Sequence, residues 1–349
     1  MSQKIIHILF DFNVGGTENM LVDIINEQAK SNNVVLVIVN NQFDANLIGK
    51  IKLAKVHCIN RVPKSRNLYK ILQLNYLVFS LKPDVIHFHN YNGIKLIKTK
   101  TKALKCLTIH DVNVPLQYLK WHDKVIAISK AVKKDVLLRA NTEVKVIYNG
   151  IATNEVGKRK ARDLIENKFK IIQVSRLEHK KKGQDILLKA VANLVHEKGI
   201  KNIALDFIGA GSSLPYLESL ITELKLEDNV NFLGLKDREF IYKNLKNYDL
   251  AVQPSVYEGF GLTVVEAMAA RLNILVSDID GPMEVINHGQ YGYFFENGNI
   301  LDCSSKLEEI IHNKVTKQNI DLIESAYLYA KENFDIKKTA LKYLEEYSI

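Results

Sequence analysis

The chain contains 349 residues, of which 47% are hydrophobic and 25% charged, and these values are typical of a globular protein with room for two domains. It has no run of 18 apolar residues and no signal-peptide cleavage region, so we expect neither a transmembrane helix nor secretion. The cysteines, Cys58, Cys106 and Cys303, are odd in number and far apart, which favours a reducing, cytoplasmic compartment and argues against a metal cluster.

Positive charge is concentrated in the first half of the chain. The net charge is +9 overall, +12 for residues 1–150 and −3 for residues 151–349. A basic half beside a mildly acidic half predicts an anionic partner for the first half. Anionic lipid and a phosphate-linked acceptor are candidates, and a lysine-rich surface without a partner is the alternative. Nucleic acid is disfavoured because no RNA-binding or helix-turn-helix motif is present.

Apolar segments of strand length alternate with helical patterns through residues 1–150. Strands are predicted at Ile5–Phe10, Val34–Val39, Lys55–Ile59, Asp84–Phe88, Leu104–Ile109, Lys124–Ile128 and Val144–Tyr148. Helices are predicted after Gly15–Glu18 to about Ala29, at Asn67–Leu81, and from a Ser129 cap to about Arg139. Continuous apolar strands separated by helices indicate a parallel sheet covered on both faces.

A polar segment without periodicity, residues 153–168, is the predicted linker, and the alternation resumes after it. Strands are predicted at Phe169–Val174, Ile203–Ile208, Val230–Leu233, Leu250–Gln253, Asn273–Ser277 and Tyr293–Phe295. Helices are predicted at Gln184–Lys198, Ser213–Leu224, Phe240–Lys246 and Leu262–Ala269, from Glu284, and over most of the chain after Ile300. The second half is therefore expected to form another parallel α/β domain.

The stretch Pro254–Ala269 carries the most specific chemical pattern. It follows an apolar strand, contains Gly259 and Gly261, and continues into a helix whose first N–H groups and dipole suit a phosphate. Glu258 and Glu266 flank this predicted anion site. Carboxylates do not suit phosphate but accept hydrogen bonds from hydroxyl groups, so the pattern fits a nucleotide-sugar, with ribose on one side and hexose on the other.

This stretch resembles the Glu-x7-Glu motif of the retaining glycosyltransferases of family 4, which have the GT-B fold. The resemblance implies an α/β protein with two facing Rossmann-like domains. Residues 1–150 would bind the acceptor, residues 151–333 would bind the nucleotide-sugar donor, and a helix at about 334–349 would pack back on the first domain. The donor-binding residues implied within the stretch are Glu258, Gly259, Phe260, Gly261, Leu262 and Glu266.

A second segment, Val174–Gly183, resembles the family's Gly-Arg-Leu-x-x-x-Lys-Gly pattern, with Ser175 in place of the first glycine. Arg176 and Lys182 match the residues that hold the donor diphosphate, and a guanidinium with an ammonium can stabilise the charge of that leaving group. Three consecutive lysines blur the assignment, and Lys182 is chosen because it precedes Gly183. Gly209, in a tight loop after a predicted strand, is also assigned to the donor.

Two segments of the first half extend the resemblance. Gly15 and Gly16 belong to a Gly-Gly-x-Glu loop that would bring N–H groups to the donor phosphates, and His110, in a Thr-x-His-Asp segment, would contact the transferred sugar. His87 and His89 share one face of a strand, so a metal site is conceivable there. Without an acidic or cysteine partner, a structural role or a place in the acceptor cleft is favoured.

Another aspartate pair, Asp278 and Asp280, has the spacing of an Asp-x-Asp metal motif. Its late position and the following Gly281-Pro282-Met283-Glu284 instead continue the family-4 pattern. Arg271-Leu272-Asn273 departs from that pattern, which affects local geometry more than the active site.

The resemblance implies a cofactor- and metal-independent hexosyltransferase of the cytoplasm or the inner membrane face. A UDP-sugar is the favoured donor, and the acceptor would be a saccharide or lipid-linked saccharide in bacterial surface polysaccharide synthesis. His110, Arg176, Lys182 and Glu258 would be its catalytic residues. The alternatives are a nucleotide-sugar epimerase of the same fold and a non-catalytic sugar-nucleotide-binding protein. An anionic membrane surface is a further candidate partner, and no nucleic acid is expected.

Overall fold

The computed structural model describes residues 2–159 and 168–348, which form two compact units. The first unit comprises Met1–Ile151 together with Ile336–Ile349, and the second comprises Ala152–Asp335. Among the described residues, no helix is both long and apolar enough to span a bilayer.

The first unit is built on a seven-stranded parallel sheet. Its strands are β1 (Lys4–Leu9), β2 (Asn33–Asn40), β3 (Lys55–Arg61), β4 (Val85–Phe88), β5 (Leu104–Ile109), β6 (Lys124–Ala127) and β7 (Lys145–Val146). The strand order is β3-β2-β1-β4-β5-β6-β7, and all neighbouring strands run parallel. Every residue of β2 except the first is buried, because both faces of the central sheet are covered.

Five helices accompany this sheet: α1 (Gly16–Gln28), α2 (Ala45–Gly49), α3 (Leu68–Leu81), α4 (Lys130–Arg139) and the last helix, α13 (Ile336–Tyr347). Side-chain caps start three of them, since Leu47 N–H donates to Asp44 Oδ1, Lys70 N–H to Asn67 Oδ1 and Val132 N–H to Ser129 Oγ. Helix α13 packs against α1 and buries two tyrosines, so residues from both ends of the chain share one core.

The second unit repeats the plan with six parallel strands in the order β10-β9-β8-β11-β12-β13. Its strands are β8 (Phe169–Val174), β9 (Ile203–Ile208), β10 (Val230–Phe232), β11 (Leu250–Gln253), β12 (Asn273–Ser277) and β13 (Tyr293–Phe295). Its helices are α5 (His179–Lys182), α6 (Gln184–Ala192), α7 (Leu214–Glu223), α8 (Arg238–Asn244), α9 (Leu262–Ala269), α10 (Asp280–Val285), α11 (Ile300–Asn313) and α12 (Lys317–Asn333). The strand order reverses direction between β8 and β11, which is where such sheets bind ligands.

The first crossing between the units lies before the expected linker, residues 153–168. The Thr153 hydroxyl donates to Asp335 at 2.7 Å, Gly157 N–H donates to a carbonyl of α8, and the Arg159 guanidinium pairs with buried Asp249. Residues 153–159 are therefore part of the second unit, and residues 160–167 of the expected linker lie outside the described residues. The chain passes from one unit to the other at Ile151–Ala152.

The expected helix start at Glu284 is wrong, because α10 begins at Asp280. Pro282 lies in the first turn, where its missing N–H breaks no helical hydrogen bond. Gly281 lies against the loop before α9, and a Cβ there would be 2.5 Å from the Glu258 carbonyl oxygen. The helix thus starts early because its first residues pack on the neighbouring loop.

Candidate functional site

Two loops of the second unit emerge from neighbouring parallel strands at the same edge of the sheet. One follows β8 and contains Arg176 and Lys182, and the other follows β11 and contains Glu258. The Lys182 ammonium and the Glu258 carboxylate form an ion pair, with each side chain 18% exposed. The Val256 N–H also donates to the Lys181 carbonyl at 2.9 Å. The two segments singled out in the sequence are therefore in direct contact.

The structure distinguishes the three consecutive lysines. The Lys180 side chain is exposed, the Lys181 ammonium lies 4.7 Å from the centre of the Tyr257 ring, and the Lys182 ammonium pairs with Glu258. The Arg176 guanidinium pairs with Glu178 at 3.1 Å, and the Arg176 side chain is 68% exposed. Arg176 is thus an exposed cation of the segment after β8, and Lys182, at the end of α5, is a mostly buried one.

Glycines allow this edge to pack closely. Gly209 has φ +147°, and a Cβ there would be 1.9 Å from the Ser175 carbonyl oxygen, so this glycine lets the loop after β9 approach the loop after β8. Gly261 has φ +112° and occupies the N-cap of α9, where other residues would be strained. The resulting turn leaves the first N–H groups of α9, beginning with Leu262, at the edge of the sheet.

Glutamine side chains that the sequence interpretation missed hold the two loops. Gln253 Nε2 donates to Glu258 Oε2 at 3.3 Å, while Gln253 Oε1 accepts from the Thr263 hydroxyl at 2.9 Å. Gln173 Nε2 donates to the Lys182 carbonyl at 2.8 Å. Both glutamines lie at or near the carboxyl ends of their strands, where sheets of this kind bind ligands. This position is the feature of the sequence that could have identified them as site residues.

The remaining predicted residues of this loop have different environments. The Phe260 side chain is buried and packs edge-on against Phe334, with ring centres 5.5 Å apart, so this side chain belongs to the core. Gly259 lies in the loop between Glu258 and α9. Burial raises the pKa of the Glu266 carboxyl to about 7, and the charge of Arg238 partly opposes this rise. Glu266 is therefore readily protonated.

The predicted residues of the first unit lie at the start of α1, which follows β1, and directly after β5. Gly15 is the N-cap of α1 with an extended backbone (φ −164°), and its carbonyl accepts from the side-chain nitrogen Nδ2 of Asn19 at 2.9 Å. Gly16 begins the helix. His110 directly follows β5. These three residues belong to one unit, and Arg176, Lys182, Gly209 and the Glu258–Glu266 stretch belong to the other.

His110 is the end of a chain of hydrogen-bonded side chains. His110 Nε2 lies 3.1 Å from His89 Nδ1, His89 Nε2 lies 3.0 Å from His7 Nδ1, and His7 Nε2 lies 2.8 Å from Gln28 Oε1. Burial lowers the pKa of His7 and of His110 to about 4 and that of His89 well below its ordinary value. The three imidazoles are therefore neutral at neutral pH.

His87 lies beside this chain and makes other contacts. Its Nδ1 pairs with the Tyr347 hydroxyl of α13, and its Nε2 lies 2.7 Å from Thr108 Oγ1. His7, His87 and His89 are close enough to share a metal ion, but each of their six ring nitrogens already has a hydrogen-bond partner within the protein. The geometry thus fits a hydrogen-bonded cluster better than a metal centre.

Two family models match the sequence: "Glycosyltransferase Family 4" over residues 14–155 and "Glycosyl transferases group 1" over residues 157–329. An uncharacterized glycosyltransferase of Methanocaldococcus jannaschii is 34% identical over 50% of this chain and 47% of its own length. The N-acetyl-alpha-D-glucosaminyl L-malate synthase of Bacillus anthracis is 28% identical over 63% of this chain and 58% of its own length. The alignments thus span about half the length of these curated relatives.

A Campylobacter jejuni protein aligns over a longer range. It is the N-acetylgalactosamine-N,N'-diacetylbacillosaminyl-diphospho-undecaprenol 4-alpha-N-acetylgalactosaminyltransferase, 23% identical over 98% of this chain and 99% of its own length.

Among solved structures, HepE of Anabaena in complex with UDP and glucose matches with a TM-score of 0.84, at 21% identity over 99% of both chains. TarM of S. aureus, in a complex that contains UDP, matches with a TM-score of 0.78, at 17% identity over 99% of this chain and 100% of the other. Because family models match both units and this fold extends over almost the whole chain, the protein belongs to glycosyltransferase family 4, the glycosyl transferases group 1, and has the GT-B fold.

Proposed function

We propose that the protein is a retaining glycosyltransferase that moves a hexosyl group from a UDP-sugar to a hydroxyl of a saccharide or lipid-linked saccharide. The observation that carries this proposal is the Lys182–Glu258 pair at the carboxyl edge of the second sheet, next to the N-terminus of α9. A cation and a helix N-terminus suit a diphosphate, and a carboxylate suits sugar hydroxyls. The UDP bound to HepE and TarM supports a uridine nucleotide.

The residues divide the chemistry between them. Arg176 and Lys182 bind the diphosphate and stabilise the charge that develops on it as the glycosidic bond breaks. Glu258 accepts hydrogen bonds from the sugar, Glu266 from the ribose, and His110 positions the transferred sugar. The leaving phosphate itself helps to deprotonate the acceptor on the same face, which retains the anomeric configuration. Cationic side chains and helix N-termini neutralise the phosphates, so no metal is required.

A donor panel tests this proposal. UDP-hexoses and UDP-N-acetylhexosamines are first ranked by thermal shift, and those that stabilise the protein are then assayed for slow hydrolysis of the donor. Release of UDP and free sugar supports a transferase. An isomerised nucleotide-sugar formed from the donor alone would instead identify an epimerase. Binding of a donor without any turnover, even with saccharide and lipid-linked acceptors, would favour a non-catalytic binding protein.

The acceptor proposal rests on an apolar surface of helix α3. Five large side chains of this helix are 62–73% exposed: Leu68, Tyr69, Leu72, Tyr76 and Phe79. Four of them, at spacings of four, four and three residues, share one helix face. The buried residues of the helix, which include Leu74 and Val78, lie on its other side. An apolar face of this size on a surface helix indicates a binding partner.

The charges around α3 indicate which partner. Residues 45–83 contain no Asp or Glu, and Lys52, Lys55, Lys64 and Arg66 are exposed. Lys98 belongs to a second basic segment that is held against the helix, since its N–H donates to Asn75 Oδ1 at 2.5 Å. Arg61, in the same basic run, is buried and donates to Asn40 and to the Ser65 carbonyl. An apolar face with a basic rim fits an anionic membrane surface, where a lipid-linked acceptor would be found.

Vesicle sedimentation tests the membrane proposal. The protein should sediment with phosphatidylglycerol-containing vesicles at low salt, be released at high salt, and not bind pure phosphatidylcholine. Changing Leu72, Tyr76 and Phe79 to Gln together should abolish sedimentation. The control is Leu138→Gln, which removes an equally exposed leucine from α4 and should have no effect. Binding that survives the triple substitution would contradict the proposal.

A further inference from the structure

The proton positions in the histidine chain of the first unit follow from its anchor. A neutral imidazole has one N–H donor and one acceptor nitrogen. The carboxamide oxygen of Gln28 can only accept, so His7 Nε2 must carry the proton that it shares with Gln28. His7 Nδ1 is then an acceptor, which requires His89 Nε2 to donate to it.

The same reasoning extends to His110. Because His89 donates through Nε2, its Nδ1 is an acceptor, and His110 Nε2 must donate to it. His110 Nδ1 therefore carries a bare lone pair. This nitrogen is buried and has no hydrogen-bond partner among the described residues. A buried acceptor without a donor is costly, so it is suited to a ligand that brings an O–H or N–H group.

A second branch of hydrogen bonds joins His87 to Thr108 and to helix α13. The Thr108 hydroxyl donates to the Tyr343 hydroxyl at 3.2 Å, so Thr108 Oγ1 accepts from His87 Nε2. His87 Nδ1 must then accept from the Tyr347 hydroxyl. The oxygen of Tyr347 is left to accept from another group.

The Gln28 carboxamide is anchored at one end. Its oxygen lies 2.8 Å from His7 Nε2, and its amide nitrogen is buried without a well-aligned partner among the described residues. The hydrogen bonds from His110 through His89 and His7 to Gln28 therefore have one consistent direction.

We propose that Gln28, His7 and His89 are positioning residues that hold His110 as the tautomer with an unprotonated Nδ1, so that this nitrogen accepts a hydrogen bond from a hydroxyl of the bound sugar. This inference rests on the proposed function for the identity of the ligand. It adds a specificity rule: a sugar that presents a hydroxyl to His110 is accepted. A sugar that presents a carboxylate there is rejected, because two acceptors would face each other.

The tautomer can be measured without any substrate. Nitrogen-15 NMR of the histidine side chains should show that His110 is protonated at Nε2 and unprotonated at Nδ1. In Gln28→Met, which keeps the side-chain length but removes the acceptor, this tautomer should no longer be the only one. In Gln28→Glu, which keeps an acceptor, it should persist. A wild-type His110 that is protonated at Nδ1 would overturn the inference, whether or not the variants fold and whether or not the protein is a transferase.

Kinetics separate positioning from a general structural effect. Gln28→Met should lower kcat/KM for the UDP-sugar found in the donor panel by about 10-fold, the size expected for one lost hydrogen bond. The same substitution in a His110→Phe background should have little further effect, since the positioned group is gone. An equal loss in both backgrounds would show that Gln28 does not act through His110.

Discussion

The Lys182 ammonium is bound to the Glu258 carboxylate across the loops that follow β8 and β11. A donor phosphate that binds Lys182, as proposed, would share this cation with the carboxylate. In Glu258→Gln the competing negative charge is removed while the side-chain shape is kept. We expect several-fold tighter binding of UDP, measured by calorimetry. We also expect slower transfer from a UDP-sugar, because the amide of glutamine accepts hydrogen bonds from the sugar hydroxyls less strongly than the carboxylate does. Weaker UDP binding in a folded variant would contradict this role of the pair.

Removal of the Arg176 guanidinium should reduce transition-state stabilisation. Arg176→Ala is expected to cost about 2–4 kcal/mol in kcat/KM, by comparison with the loss of one preorganised donor. Lys180→Ala is the matched control, since it removes an exposed positive charge from the same loop and should leave turnover nearly unchanged. Equal effects of the two substitutions would show that the loss comes from the total positive charge of this loop and not from a specific contact of Arg176.

In the proposed function, Arg176, Lys182 and the N-terminus of α9 supply the positive charge at the phosphates, so turnover should persist in excess chelator. One candidate metal ligand has a partner in the protein, since Asp278 Oδ1 accepts from Asn297 N–H at 2.8 Å, and the other, Asp280, is the first residue of α10. Loss of activity that magnesium or manganese restores would make these aspartates ligands after all.

The affinity for UDP should depend on the protonation of Glu266. The raised pKa means that this carboxyl changes charge near pH 7 in the free protein, with Arg238 as the charged group that opposes the rise. Ribose hydroxyls donate to the carboxylate and favour its charged form. Binding should therefore tighten as pH rises through about 7 and level off above it.

Glu266→Gln is the control for this pH dependence. The variant has no ionisable group at position 266, whereas the phosphates of the added UDP ionise in the same way in both experiments. The difference between the two pH profiles of UDP affinity is therefore due to the Glu266 carboxyl. Identical pH profiles for wild type and variant, measured by calorimetry, would exclude Glu266 from nucleotide binding.

The second unit should depend strongly on Asp249. This buried carboxylate pairs with Arg159, lies 3.0 Å from the Lys314 ammonium and accepts from Lys170 N–H at 2.8 Å. Asp249→Ala leaves buried cations without their counter-charge, which typically costs about 3–5 kcal/mol. Hydrogen exchange of β8 and β11 would measure this loss.

The control for Asp249 is an ion pair near the surface. Glu324→Ala removes a 46%-exposed carboxylate that pairs with Arg271 at 2.8 Å, and it should change the opening free energy by no more than about 1 kcal/mol. Comparable losses in both variants would mean that burial does not set the strength of the Asp249 network.

Much of the fold could be predicted from hydrophobic pattern alone. Leu104–Ile109, Phe169–Val174 and Asn273–Ser277 are strands with the bounds expected from their apolar runs, since the strands of a parallel sheet are buried on both faces. Helices α2 and α5 were missed because they have only five and four residues, which is too short for a helical period to appear.

The site could be predicted less completely, because its contacts join distant residues. The sequence identified the two loops but offered only spacing to choose Lys182 among three lysines, and the pair with Glu258 became visible only when β8 and β11 lay side by side. The link from His7 to His89 spans 82 positions, and Gln28 carried no motif at all. Such contacts depend on strand order, which hydrophobic periodicity does not encode.

The position of helix α13 has a consequence for how the protein is made. Tyr343 and Tyr347 of this helix complete the buried network of the first unit, although the whole second unit is translated before them. We therefore expect the first unit to stay incomplete on the ribosome while the second one folds, with its apolar surface open to chaperones until synthesis reaches residue 347. Nascent chains arrested before residue 336 should accordingly be cut by protease in the first unit and protected in the second.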